Sequence, residues 1–320
     1  MTLRQAREGA AAPVATSPRV EVDRRRSRRR RSLRLTLEGW AFVAPATVIV
    51  LGLSIFPAVW SFFLSLQRWD GFSEPQNIGV GNYAYALGDD ELAAAVAHTF
   101  LYTILFVPAS IVLGLLLAVA LNRRIRFIGI YRTAIFVPFV ASAAATGILT
   151  TYLFSPQFGL LNNVLRRVGL PQQGWLEDPR QAMVVIAIMS LWGSAAFTTV
   201  IFLAALQDVP AELVEAATID GATRWQAFRH VTVPQLAPVM LFATVWQVIQ
   251  ALQLFDLVYT TTRGGPLNAT QTVVYYLWDA AFRRTQFGYG SAVAWTLFAV
   301  TLLVTLGIVL RSRRSGTEAF

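Results

Sequence analysis

Two groups of residues have the types and spacing to do chemistry. Trp246, Gln250 and Gln253 fall at i, i+4 and i+7, so a helix puts them on one face, with Gln247 beside it and Asp256 about a turn further on. Amides and an aromatic ring in an apolar stretch either line a cavity for a polar solute or hydrogen-bond a neighbouring helix, and the spacing leaves both open. Trp192, Thr198 and Tyr152 are weaker candidates of the same kind. The second group lies in residues 207–234, where Glu215-Ala216-Ala217 precedes Asp220-Gly221 and then Arg224-Trp225. Small residues beside a carboxylate and ahead of a glycine corner describe a surface that another protein's backbone can approach closely.

The sequence lacks the parts of a catalytic centre. Without Lys there is no phosphate-cradling G-x-x-x-x-G-K-[ST] loop, and without Cys there are no disulfides, thiol nucleophiles or Cys-based metal sites. His98 and His230 fall in separate loops, so no nucleophile, base and orienter converge. Asp256 and Asp279 read either as a proton relay or as solvated helix-end carboxylates, and their place near the ends of apolar stretches favours the latter.

The elements that must position these groups follow from hydropathy. The 320 residues are 55% hydrophobic and 14% charged, with mean hydropathy +0.51, which is more apolar than a soluble enzyme. A bilayer core needs about 20 apolar residues of helix. Six segments meet this, at 41–66, 99–121, 131–154, 182–206, 236–259 and 289–310, and predict an all-α polytopic membrane protein with six transmembrane helices. Pro57, Pro108 and Pro138 read as kinks within spans rather than breaks. Between the fourth and fifth spans, Asp208 can cap a helix with Pro210 in its first turn, Gly221 is a left-handed stop, and a second short helix runs over 223–230. Residues 271–282 read as a short helix at the mouth of the bundle or as an interfacial segment.

Arginine placement gives the topology. Of 27 basic residues, eleven lie in 1–36, four in 122–132, two in 207–235 and three at the C-terminus, against seven in the opposite loops. The positive-inside rule then puts both termini in the cytoplasm. The organisation is a disordered, Arg-rich cytoplasmic tail at 1–36, a membrane domain at 37–311 and a cytoplasmic tail at 312–320. The first tail could be a nucleic-acid arm or a twin-arginine signal. Because spans follow without a cleavable signal, it reads as a solvated segment that fixes orientation and touches anionic lipid, with no nucleic-acid partner. Asn268-Ala269-Thr270 matches a glycosylation tripeptide of a kind that arises by chance.

The loop at 207–235 resembles the EAA signature of binding-protein-dependent ABC importer permeases, E-A-A-x3-G-x9-I-x-L-P. Glu215, Ala216, Ala217, Gly221 and Pro234 are in register, with Val231 and Val233 as apolar exchanges. Asp220, Arg224, Trp225 and Phe228 are similar to the carbohydrate-uptake branch, as are Asn82-Tyr83, Phe158-Gly159-Leu160-Leu161-Asn162, Phe255-Asp256 and Gly264-Gly265-Pro266; Arg263 stands where that family often has glycine. The resemblance implies a permease that forms half of an alternating-access pathway with a second, homologous permease. It further implies two ATPase subunits that hold ATP and Mg, an external or periplasmic solute-binding protein, a sugar or sugar-like solute, and no cofactor on this chain. In that frame 207–235 is the coupling loop. Glu215 makes polar contacts to the ATPase, Ala216 and Ala217 permit close packing, Gly221 sets the corner, and Asp220 and Arg224 flank it. The rivals are a gradient-driven secondary transporter, which predicts charges deep in the spans, and a non-transporting membrane scaffold.

Overall fold

The computed structural model describes residues 39–123 and 126–314, so the tail at 1–36 and the end of the second tail lie outside the described residues. The chain divides after Trp60 into two units. The first carries most of helix α1 (Gly39–Ser65), whose mean hydropathy is 2.2. Pro57 lacks an N–H and crowds the preceding turn, and the helix responds by widening to a π turn at Leu51–Ile55 before continuing. The proline bends the ladder without ending it, as expected.

In the second unit a two-stranded antiparallel ribbon pairs Gln67 with Asn77 and Arg68 with Gln76 (β1, Gln67–Arg68; β2, Gln76–Asn77), the one departure from all-helical structure among the described residues. Then come α2 (Gly81–Leu87) and α3 (Asp90–Leu121), which runs unbroken through Pro108. Next are α4 (Ile128–Val140), α5 (Ala143–Leu153), α6 (Leu160–Arg167) and α7 (Ala182–Asp208). The rest is α8 (Ala211–Ile219), α9 (Arg224–Ala227), α10 (Ala237–Leu252), α11 (Asp256–Thr260), α12 (Val273–Trp278) and α13 (Phe287–Arg314).

Five stretches are long and apolar enough to cross a bilayer singly, and the sixth crossing is the pair α4 and α5, bent by 103°. This corrects the single kinked span expected at 131–154. Pro138 withholds an N–H near the end of α4, Ala141 and Ser142 turn extended, and Ser142 Oγ accepts the Ala145 N–H, so a second helix nucleates in a new direction. The pair still makes one crossing, because Ile128 lies beside Gln207 at the end of α7, whereas the chain leaving α6 reaches the start of α7 through Trp175 and Gln181.

The span expected at 236–259 is also interrupted. The crossing itself runs over Ala237–Thr260, with three non-helical residues between α10, which stops at Leu252, and α11, which starts at Asp256; there the Leu254 carbonyl accepts the Thr272 hydroxyl at 2.7 Å.

Packing depends on small residues, since lipid offers no hydrophobic drive between helices. α3 lies along α7 so closely that a Cβ at Gly114 would sit 2.5 Å from the Thr198 side chain. Around this contact, Tyr102, Phe106, Ile186, Met189, Val248 and Tyr275 tie α3, α7, α10 and α12 into one core. A second cluster of Ala118, Phe202, Leu206, Leu236 and Ala243 closes the end near Gly221, and a third of Ala95, Val273, Tyr276, Tyr289 and Val293 closes the end near Asp89.

Candidate functional site

The connection between α7 and α10 is a helical knob. Asp208 does not cap it, contrary to expectation: it is the last residue of α7. The residue before a proline is pushed extended, which Val209 obeys with ψ 121°, so the helix restarts only after Pro210. α8 ends at a Schellman stop. Gly221 has φ +86°, the Ala222 N–H donates to the Ala217 carbonyl at 2.9 Å and the Gly221 N–H to that of Thr218 at 3.1 Å. Thr223 then opens α9 with a capping box, its own N–H donating to Gln226 Oε1 at 2.8 Å while its hydroxyl accepts from the Gln226 N–H. The helical path expected at 223–230 continues as a π turn, Phe228–Thr232, ahead of Pro234.

No residue of α8 is buried. Glu215, Ala216, Asp220, Gly221 and Arg224 are exposed, Ala217 is half-buried, and Glu215 makes no ion pair among the described residues. Of the apolar groups around them, sequence reasoning named Trp225 and Phe228 but not Ile219. Ile219 is 86% exposed and Trp225, stacked on Phe228, is 67% exposed. Each would gain about 1.5–3 kcal/mol on burial against a partner.

The polar face of the fifth crossing divides. Trp246, Gln250, Gln253 and Asp256 are all exposed, and the Trp246 ring stacks on Phe197 of α7 at 5.1 Å. Gln253 also lines a crevice of about 530 Å3 with Thr301 and Thr305 of α13. Gln247 points the other way: it is 1% exposed, and its Nε2 has no partner among the described residues. Thr198 is buried at the Gly114 contact, whereas Trp192 and Tyr152 are exposed.

At the opposite end of α7 the acids are committed to structure. Asp89 caps α3 by accepting from the Glu91 and Leu92 N–H groups at 3.0 and 3.2 Å, and it also accepts the hydroxyls of Tyr276 and Tyr289, the latter at 2.5 Å. Burial raises its pKa, but the two hydroxyls and two N–H groups outweigh that and hold it below the ordinary 3.8. Asp279, 5% exposed, pairs with Arg283 at 2.7 Å and Arg284 at 2.8 Å, and Arg284 reaches on to Glu91 at 2.7 Å. The solvated Asp279 favoured from sequence is instead a buried carboxylate paired with two arginines. Asp89 could have been found, since Asp-Asp-Glu ahead of an apolar run is a helix-start pattern; its tyrosines could not.

Nearby, β1, β2 and α2 wall a cavity of about 580 Å3 that includes Trp69, Asn82, Tyr85 and Tyr289. Asn82 is occupied by the Ser65 and Gln67 carbonyls, both at 2.8 Å, and Tyr289 by Asp89. Arg263, where glycine was the familiar residue, takes φ +51° and so keeps the glycine-like backbone of its turn.

Five apolar helices long enough to cross a bilayer, a sixth bent pair and an exposed helical knob define a multi-pass helical membrane protein. The chain belongs to the family described as binding-protein-dependent transport system inner membrane components, which matches residues 110–313. It is 36% identical over 275 residues to the lactose transport system permease protein LacF of Rhizobium radiobacter, covering 84% of this chain and 92% of the relative. It is 30% identical over 269 residues to the trehalose/maltose transport system permease protein MalF of Thermococcus litoralis, covering 84% and 91%. A solved bacterial alginate ABC transporter in complex with alginate pentasaccharide-bound periplasmic protein contains a chain of the same fold, with TM-score 0.80 at 20% identity, covering 90% of this chain and 98% of that one. The protein is thus a permease subunit of an ABC importer and not an enzyme; in such systems the ATPase is a separate subunit.

Proposed function

We propose that this permease imports a sugar or sugar-like solute, forming half of a pathway with a second, homologous permease and coupling to two ATPase subunits through residues 207–235. The observation that carries the coupling role is the knob: a rigid, doubly capped corner with exposed Glu215, Ala216, Asp220, Gly221 and Arg224 and with Ile219 and Trp225 bare. ATP and Mg belong to the ATPase subunits, whose closure favours one state of the bundle as a population shift. Both termini lie in the cytoplasm with the knob, as the arginine count favours. A solute-binding protein delivers the solute on the other side.

The named relatives supply the substrate class, and the exposed face of Trp246, Gln250 and Gln253, with Asp256 beyond it, has the chemistry for it: amides for hydroxyl groups and a ring for a sugar face. Gln247 is placed outside that face, as an interior residue.

The test is affinity purification of the tagged chain from detergent-solubilised membranes, native beside Glu215→Arg, with co-purifying subunits identified by mass. Recovery of an ATPase and a second permease, with the ATPase lost from the variant, is expected. Recovery of the chain alone, where other membrane complexes survive, would overturn the reading.

A further inference from the structure

At the knob end, transport leaves one charged feature unused. Where α3 gives way to α4, Arg123, Arg126 and Arg132 line one cavity of about 500 Å3, with the amides of Asn122 and Gln207 in the same wall. No lining residue carries a carboxylate, and none of the three arginines is ion-paired among the described residues. Arg126 lies over the Phe127 ring at 5.1 Å, which holds its planar head in place. Three arginines lining one pocket without a carboxylate favour an anion among them, and their forked N–H groups fit phosphate oxygens.

The second observation is apolar. Arg132 also heads an adjoining shallow, open trough along one face of α4, formed with Thr133, Phe136, Val137, Val140 and Ala141. This trough follows α4 away from the arginines into a membrane-crossing pair, and Phe136, Val137 and Val140 are exposed along it. From Arg132 to Ala141 the lining passes from cationic through Thr133 to mainly apolar. A free phosphate would use the first cavity and leave the trough bare.

We propose that this is a binding site for an anionic phospholipid, its phosphate held by Arg123, Arg126 and Arg132 and one acyl chain laid along α4 to Ala141. Basic pockets between helices at the cytoplasmic face are known to take such headgroups as a chemical class. Gln207 ends its wall three residues before Pro210, so the bound lipid joins the start of α4 to the foot of the coupling knob.

The complex, purified as above in neutral detergent, is titrated with dioleoyl phosphatidylglycerol, dioleoyl phosphatidylcholine, inorganic phosphate and glycerol phosphate. Melting temperature and bound lipid are followed, the latter by native mass spectrometry. Phosphatidylglycerol is expected to bind and raise the melting temperature, and R123Q/R126Q/R132Q to weaken that binding about a hundredfold. Phosphatidylcholine and the soluble phosphates should not substitute. Equal protection by inorganic phosphate would overturn the lipid in favour of a free anion, and unchanged lipid binding by the triple variant would overturn the site. If the triple variant fails to assemble, R123Q and Val137→Glu probe the two halves singly, and lipid binding unaffected by both would overturn the proposal. Loss of the second permease with lipid retained would mark a protein interface and do the same. ATPase retention by the native complex keeps this test separate from the coupling reading.

Discussion

At the Asp89 end of the bundle, polar groups are buried and satisfied: one carboxylate takes two hydroxyls and two N–H groups, and Asp279 takes two arginines. At the Gly221 end, apolar groups are bare: Ile219 and Trp225 face water on a corner stiffened by local caps. The first arrangement lowers the free energy of the isolated chain. The second raises it, and is recovered only when another surface covers it. The same helical bundle thus separates stability from docking by placing them at opposite ends.

Changes that break the contrast should have distinct readouts. Gly221→Pro has the largest expected effect. Proline cannot take φ +86°, so the corner is strained by more than about 1 kcal/mol. ATP-driven uptake into membrane vesicles is expected to be lost while the amount of chain in the membrane, measured by immunoblot, is unchanged. Asp89→Ala removes a helix cap and strands two buried tyrosine hydroxyls, for a loss of about 2–4 kcal/mol. It should lower the melting temperature of the purified chain and leave ATPase capture intact in the cold. Trp225→Ala should do the reverse, weakening ATPase affinity by about 2 kcal/mol with stability unchanged within about 0.5 kcal/mol.

Acid sharpens the same comparison. Because Asp89 is held below its ordinary pKa of 3.8, its contribution is fully present above that value and is lost as pH falls through the lower folded-state value. The stability gap between the native chain and Asp89→Asn is therefore expected to be flat from neutral pH to about 5 and to close below about 4 in denaturation curves. The smallest effects belong to the polar crossing. Gln250→Ala should raise the solute concentration for half-maximal uptake severalfold. Gln247→Leu should leave it unchanged and shift stability by about 1 kcal/mol or less, since its buried Nε2 has no partner among the described residues to lose.

Most of the architecture was legible because a bilayer imposes a local rule: each crossing must satisfy its backbone within one apolar stretch, and hydropathy is read residue by residue. Capping is equally local, so Gly221 announced the corner, although the cap read at Asp208 falls instead to Thr223 at the second helix. The bend at Ala141–Ser142 was less legible, because Pro138 alone permits either a kink or a break, as α1 and α3 show by carrying Pro57 and Pro108 through. The contact of Thr272 with the Leu254 carbonyl was not legible at all, since it comes from a separate segment.

By itself the sequence determined the helical class, the six crossings, the corner at Gly221 and the face shared by Trp246, Gln250 and Gln253, all consequences of spacings within a few turns. Only the tertiary structure decided that Gln247 turns inward, that Asp89 collects Tyr276 and Tyr289 from 187 and 200 residues away, and that three arginines share a wall with Gln207. Such groups meet because packed helices bring distant turns within hydrogen-bond reach, and no local periodicity encodes which turns those are.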